Sequence, residues 1–297
     1  MKCKTGFRLP FLIVPVVLLS LAAFGESPVA DLRATISEAD KANNAQDTIQ
    51  LAGELLSHAQ ASDKDRVWAR NMILRGTRKL EGATVDQVIE AANALVNEKG
   101  SAPDDAIVAY IEVGQFAQKM LVFDVSVEWL KKAVDTFAAK DRWMMWGGDA
   151  IAVATSEVAS SQSGLKDKAG AAETALDALE KMEAHGVPLR FYFQQRFLSF
   201  LQGFGPEKAD KELRGQAIAL KLQSRVKKSK DILQTFDRVV DYSAYGKEGV
   251  SAETKQLFLG ALDGLAEAAA ASEKTEDVDP AALVEKIKAW KASLPTP

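Results

Sequence analysis

Residues 84–121 read TVDQVIEAANALVNEKGSAPDDAIVAYIEVGQFAQKML, and this stretch decides the fold. Val85, Val88, Ile89, Ala92, Leu95 and Val96 recur three and four positions apart, the period that gathers side chains onto one face of an α-helix. Thr84 and Gln87 have the spacing of a capping box, in which each side chain satisfies a backbone donor that the first turn leaves unpaired. Gly100 can take the left-handed conformation that ends a helix. Ser101 can cap the next one, Pro103 and Asp104 suit its first turn, and the stripe Ile107, Tyr110, Ile111, Gly114, Ala117 and Leu121 follows. Two amphipathic helices with a short turn between them form an antiparallel hairpin.

The same reading carried along the chain predicts an all-α protein. Helices are expected near 28–43, 45–61, 63–81, 84–99, 103–121, 124–139, 142–162, 167–185, 188–203, 206–227, 229–244, 252–271 and 279–292. The loops between them are mostly short, as antiparallel neighbours require. Flexible stretches are expected at Tyr245 to Ser251, which holds Gly246 and Gly249, and at the polar, acidic Ser272 to Asp279. No break demands two domains, so 26–297 reads as one helical domain.

Residues 1–25 read differently. Lys2, Lys4 and Arg8 precede the apolar run Leu9 to Phe24, and the small residues Ala23 and Gly25 flank Phe24, the order of a secretory signal cleaved after Gly25. The run holds Pro10 and Pro15 and is shorter than the roughly 20 residues a spanning helix needs, which favours cleavage over a retained anchor. The expectation is an exported, periplasmic or extracellular protein with no transmembrane span after cleavage. Cys3 lies ahead of the apolar core, where a processed lipoprotein could not use it. Cleavage would leave 272 residues with no cysteine, excluding disulfides and thiol chemistry, and 34 Lys and Arg against 41 Asp and Glu, for a net charge of −7. An acidic chain of this kind does not suit nucleic acid.

Two segments are self-similar. Tyr110, Val113, Gly114 and Ala117 are followed at an interval of 33 by Trp143, Trp146, Gly147 and Ala150, while Ser126, Leu130 and Ala133 fill the matching places in the second helix of the first unit. These residues resemble the tetratricopeptide repeat, whose first helix follows W-x2-L-G-x2-Y and whose second has small residues where the two helices cross. The resemblance covers 103–140 and, more weakly, 142–185. In the second unit Ala159 to Gly170 reads as an insertion before Ala171, Ala175 and Ala178, and Ala138 stands where the repeat often has proline. Trp68 suits the Trp position of an earlier unit. The resemblance implies a right-handed stack of helical hairpins with a concave surface that binds proteins or peptides.

No catalytic signature is present. The only histidines, His58 and His185, fall beside an apolar stripe and at a helix C-terminus, where a cation suits the dipole, and neither has the neighbours a metal site needs. Ser163 to Lys166 and Ser224 to Lys227 match S-x-x-K, but the companion K-T-G occurs only at Lys4 to Gly6. No cofactor is implied.

Two clusters are candidate contact surfaces. In 190–204, Phe193, Phe197, Phe200 and Phe204 share a helical face and read as core, which leaves Arg190, Tyr192 and Arg196 as candidate partner contacts. Lys221, Arg225, Lys227, Lys228 and Lys230 concentrate positive charge; they read as a solvated face, with a weak contact to an acidic partner as the alternative. The functional expectation is an exported, non-catalytic scaffold that binds a protein or peptide. The alternatives are an envelope enzyme working through carboxylates and a small-ligand carrier built on 190–204.

Overall fold

A computed structural model describes residues 28–225 and 228–297; the predicted signal at 1–25 lies outside the described residues. Thirteen α-helices follow one another: α1 (Pro28–Lys41), α2 (Ala45–Ser57), α3 (Asp63–Lys79), α4 (Val85–Val96), α5 (Pro103–Lys119), α6 (Phe123–Lys140), α7 (Asp149–Gly164), α8 (Lys168–Ala184), α9 (Phe191–Leu201), α10 (Ala209–Gln223), α11 (Ser229–Tyr242), α12 (Ala252–Ala270) and α13 (Pro280–Ser293). The described residues form no sheet, so the protein is all-α. Among them, no helix is long and apolar enough to cross a membrane.

Side chains set many of the helix starts. Thr84 and Gln87 form the expected capping box on α4, and Ser62 with Asp65 forms another on α3. Asn44, Asp167, Ser251 and Asp279 cap α2, α8, α12 and α13. Ser101 does not cap α5. Ala102 takes the N-cap position; its backbone N–H donates to the Asp105 carboxylate at 2.8 Å, the acid's half of a capping box, while the Asp105 N–H, with no hydroxyl to bond, donates to the Ala102 carbonyl at 3.0 Å.

Consecutive helices pack against one another from α1 to α13, and the odd-numbered helices also touch in order, α1 on α3, α3 on α5, and so on to α13. Polar rungs tie this odd row together. Lys79 Nζ lies 2.7 Å from Asp40 Oδ1, Gln118 donates to the Glu157 carbonyl, Arg196 meets the Glu157 carboxylate at 2.8 Å and Arg238 donates to Gln195 at 2.7 Å. The partners are 39, 39, 39 and 43 residues apart, about one helical hairpin. A separation near the length of one hairpin is what a stack of successive hairpins produces. In the even row, α8, α10 and α12 also pack directly, whereas α2, α4 and α6 make no comparable contact among the described residues. Over the first half the hairpins therefore meet through the odd row, and over the second the even row meets as well.

Close crossings explain part of the small-residue pattern. A Cβ on Gly114 would fall within the Leu130 side chain, so α5 and α6 approach there because position 114 is bare. Ala133 and Ala117 are fully buried. The second unit differs. Gly147 lies outside any α-helix with φ +67°, and nothing stands within 4 Å of a Cβ built on it. Trp143 and Trp146 also precede α7, which begins at Asp149 rather than 142; only Ala150 of that set is a buried helical residue. The stretch read as an insertion, Ala159 to Gly170, is helical at both ends: Ala159 to Gly164 continues α7, Leu165 to Asp167 turns, and α8 follows, where Ala171, Ala175 and Ala178 are buried. The predicted helix 206–227 starts with a short 3-10 turn at Pro206–Lys208.

Tyr245 to Ser251 is held at both ends. Tyr245 is fully buried, and its hydroxyl donates to the Pro295 carbonyl at 2.7 Å; Ser251 donates from N–H and hydroxyl to Asp210. Between them Lys247 pairs with the buried Glu212 at 2.6 Å. In Ser272 to Asp279, Val278 is buried and Thr275 N–H bonds the Val278 carbonyl, so this stretch is a folded turn.

Candidate functional site

Helix α9 is fixed from below. Phe197, Leu198 and Leu201 enter the core, and the buried Gln194 donates to the Ala219 carbonyl at 2.9 Å while accepting from the Thr235 hydroxyl. A buried amide satisfied on both sides locks the helix in rotation, because turning it would strand those groups without partners.

That lock points the other face of α9 outward. Phe191, Tyr192, Gln195, Arg196, Ser199 and Phe200 form a groove of about 350 Å³ that Arg238 of α11 closes on one side. Tyr192 is 64% exposed. Arg196 reaches the Glu157 carboxylate of α7; burial draws its pKa down, but that carboxylate outweighs burial and holds the guanidinium above its ordinary value. Arg238 is fixed by neutral groups, donating to Gln195 and, at 2.9 Å, to the Tyr242 hydroxyl, and has no carboxylate partner among the described residues. Each arginine lies over a tyrosine ring, Arg196 at 5.9 Å from the Tyr192 centroid and Arg238 at 5.2 Å from that of Tyr242. The groove runs on past Ser199 and Phe200 into a second hollow beside Lys168 and Gly203.

The three predicted contacts thus separate. Tyr192 and Arg196 line the groove, and Arg190 lies beyond its end, exposed and paired with Asp149 at 2.9 Å. The predicted phenylalanine face also divides: Phe197 and Phe204 are core, Phe193 is half-buried, and Phe200 is a half-buried groove wall. The groove is open rather than a deep pocket walled by Phe191 to Phe204, the feature a small-ligand carrier requires. Arg238 comes from 43 residues beyond its contact on α9, and no local spacing signals it.

A cleft of about 920 Å³ lies among the C-terminal ends of α1, α3 and α5. Three of its four cations are matched: Asp40 takes Arg75 and Lys79, and Glu112 takes Arg78, while Lys119 lines the cleft beside them. Burial lowers the pKa of Arg78, and Arg75 adds to that shift. The predicted basic cluster is also partly neutralised, with Lys221 on Glu183 and Lys230 3.5 Å from Asp277; Arg225 and Lys228 are exposed, and Lys227 is outside the described residues.

Neither histidine lines the hollows described above. His58 caps the end of α2 and accepts at Nδ1 from Gln60 N–H, while His185 ends α8 and stacks on Trp143 at 4.1 Å between centroids. Among the described residues no group of three His, Cys, Asp or Glu is placed to hold a metal. Ser163, in the last turn of α7, lines the hollow beside Lys168, and Lys166 turns with φ +64° into α8.

The arrangement defines a class: an all-helical, repeat-like stack with an aromatic and arginine-lined groove on its odd row. Comparison with known protein families gives no match. Comparison with curated proteins gives none either. Among solved structures, the crystal structure of BtubC (BKLC) from P. vanneervenii is similar to the chain at a TM-score of 0.37 and 15% identity, over 92% of this chain and 96% of that one.

Proposed function

We propose that the chain is an exported, non-catalytic scaffold of tetratricopeptide-like hairpins that docks a protein segment in the α9–α11 groove. The observation that carries this reading is the groove itself: an exposed Tyr192, half-buried aromatic walls and two oriented arginines, Arg196 on a helix that the core holds rigid and Arg238 on the helix beside it. Tyr and Arg are the residue types that concentrate binding energy at interfaces, and a rigid platform loses little entropy when a partner settles on it. Export follows from the basic, apolar and small-residue order of residues 1–25.

The test is photo-crosslinking in cells from a benzoylphenylalanine placed at Tyr192, repeated with Ser199→Arg, which puts bulk into the groove from an exposed position. A discrete crosslinked polypeptide that Ser199→Arg removes supports docking in the groove. Absence of any product, or one that Ser199→Arg leaves unchanged, overturns it. Separately, detection of the chain in the cytoplasm with residues 1–25 intact would overturn export.

A further inference from the structure

The turn before α7 displays an aromatic side chain at a backbone cost. Trp146, Gly147 and Gly148 are three successive residues at positive φ, +53°, +67° and +93°. Tryptophan rarely takes this conformation, and such geometry persists only where the surroundings impose it. Here they do. Trp143 is buried and stacks on His185, a Cβ on Gly148 would meet Val187 at 2.5 Å, and Asp149 is paired with Arg190. The result of this bracing is outward: Trp146 is 53% exposed and Met144 55%, although both side chains would gain by burial.

An ion pair ties the turn that carries this knob to the start of the groove. Asp149, three residues after Trp146, is bound to Arg190, and the next residue, Phe191, lines the groove. We infer that Trp146 of one copy of the chain enters the α9–α11 groove of a second copy, and reciprocally, in a two-fold dimer. A patch carrying both knob and hole is what a two-fold interface needs, since each contact is then made twice. Charge fits as well. Arg190, Arg196 and Arg142 are each matched by a carboxylate, on Asp149, Glu157 and Asp104, so two such patches meet without repulsion. Arg238, without a carboxylate partner among the described residues, already lies over one aromatic ring and is suited to the face of an indole.

The inference rests on the groove being a docking site, and it names the occupant. The Tyr192 crosslink separates the two: a product of twice the chain mass supports both, a product with a different protein overturns the dimer alone, and no product overturns both. Sedimentation of the full chain between about 1 and 100 μM, with mild detergent to suppress association through residues 1–27, gives the second reading. Trp146→Ala and Ser199→Arg are each expected to weaken self-association roughly tenfold or more, as loss of an interface anchor does. Mixing the two variants pairs an intact groove with an intact Trp146 and is expected to recover part of the association. Trp146 emission should shift to the blue as dimer forms, a change absent in Trp146→Phe. A monomer throughout the range, a dimer that survives either substitution, or a mixture no better than its components would overturn the inference.

Discussion

A methyl group at position 114 has nowhere to go, because Leu130 already fills the space in front of Gly114. Gly114→Ala should therefore destabilise by about 1–3 kcal/mol through overpacking. Leu130→Ala should cost about 2–5 kcal/mol by leaving a cavity. The pair should cost less than the sum, since each change relieves the other, and urea unfolding of the double-mutant cycle measures that coupling. Full additivity would mean that the crossing is not packed at this point. Gly147 offers the contrast. Nothing crowds its Cβ, so Gly147→Ala should cost about 1 kcal/mol through backbone conformation alone, and Gly147→Asn less, because asparagine tolerates the left-handed region. Two glycines that look alike in a repeat alignment thus serve different physics. One admits a neighbouring helix; the other permits a turn.

At the scale of the elements, hydrophobic period and punctuation located all thirteen helices, because α5 and its neighbours bury one face and begin at residues with capping chemistry. What period could not show was the corner before α7. Trp143, Trp146 and Ala150 keep helical spacing, yet the Gly147-Gly148 pair allows positive φ and postpones the helix to Asp149. Of the groove, Tyr192 and Arg196 were legible as polar and aromatic positions off the core face. Arg238 was not, since only tertiary packing brings α11 beside α9. In Tyr245 to Ser251 the glycines are visible in sequence, whereas the tethers to Glu212, Asp210 and Pro295 are long-range and are not.

Those tethers predict opposite responses to pH. Burial raises the pKa of Glu212 despite its Lys247 partner, so its folded form binds a proton more readily than the unfolded chain does. Its contribution is fully present below the unfolded value, about 4.3, and is lost as pH rises through the folded value. Asp210 is the reverse: burial raises its pKa, but hydrogen bonds from Ser251 outweigh burial and leave it lowered, so its stabilisation is lost as pH falls through the folded value. Asp65, held low by the Ser62 hydroxyl, and Glu173, held low by Lys211, act in the same sense as Asp210. Melting temperatures from pH 3 to 7 should show Glu212→Gln losing the decline above about pH 4.5 and Asp210→Asn flattening the fall below about pH 4. Parallel profiles for wild type and Glu212→Gln would remove the buried carboxylate from this account.

At the scale of the whole molecule the core is a series of three clusters. The first joins α1 to α3 around Ile36, Leu55 and Met72; the second joins α3 to α6 around Leu74, Val88 and Trp129; the third and largest extends to α13. Ile73 borders the first two clusters and Tyr110 the last two, so each joint is narrow. Stability in such a chain is close to a sum of units and their interfaces, and opening should begin where a unit has a neighbour on one side only. Ile36→Ala should accordingly cost about 2–5 kcal/mol within the first cluster, which is enough to open it well before the rest. Hydrogen exchange should show amides of α1 to α3 losing protection while α10 and α12 keep theirs. Leu220→Ala, placed in α10 between α8 and α12, should instead lower protection throughout α8 to α13, because that helix is packed on both sides. Uniform loss across all thirteen helices after Ile36→Ala would show a single cooperative unit in place of three joined ones.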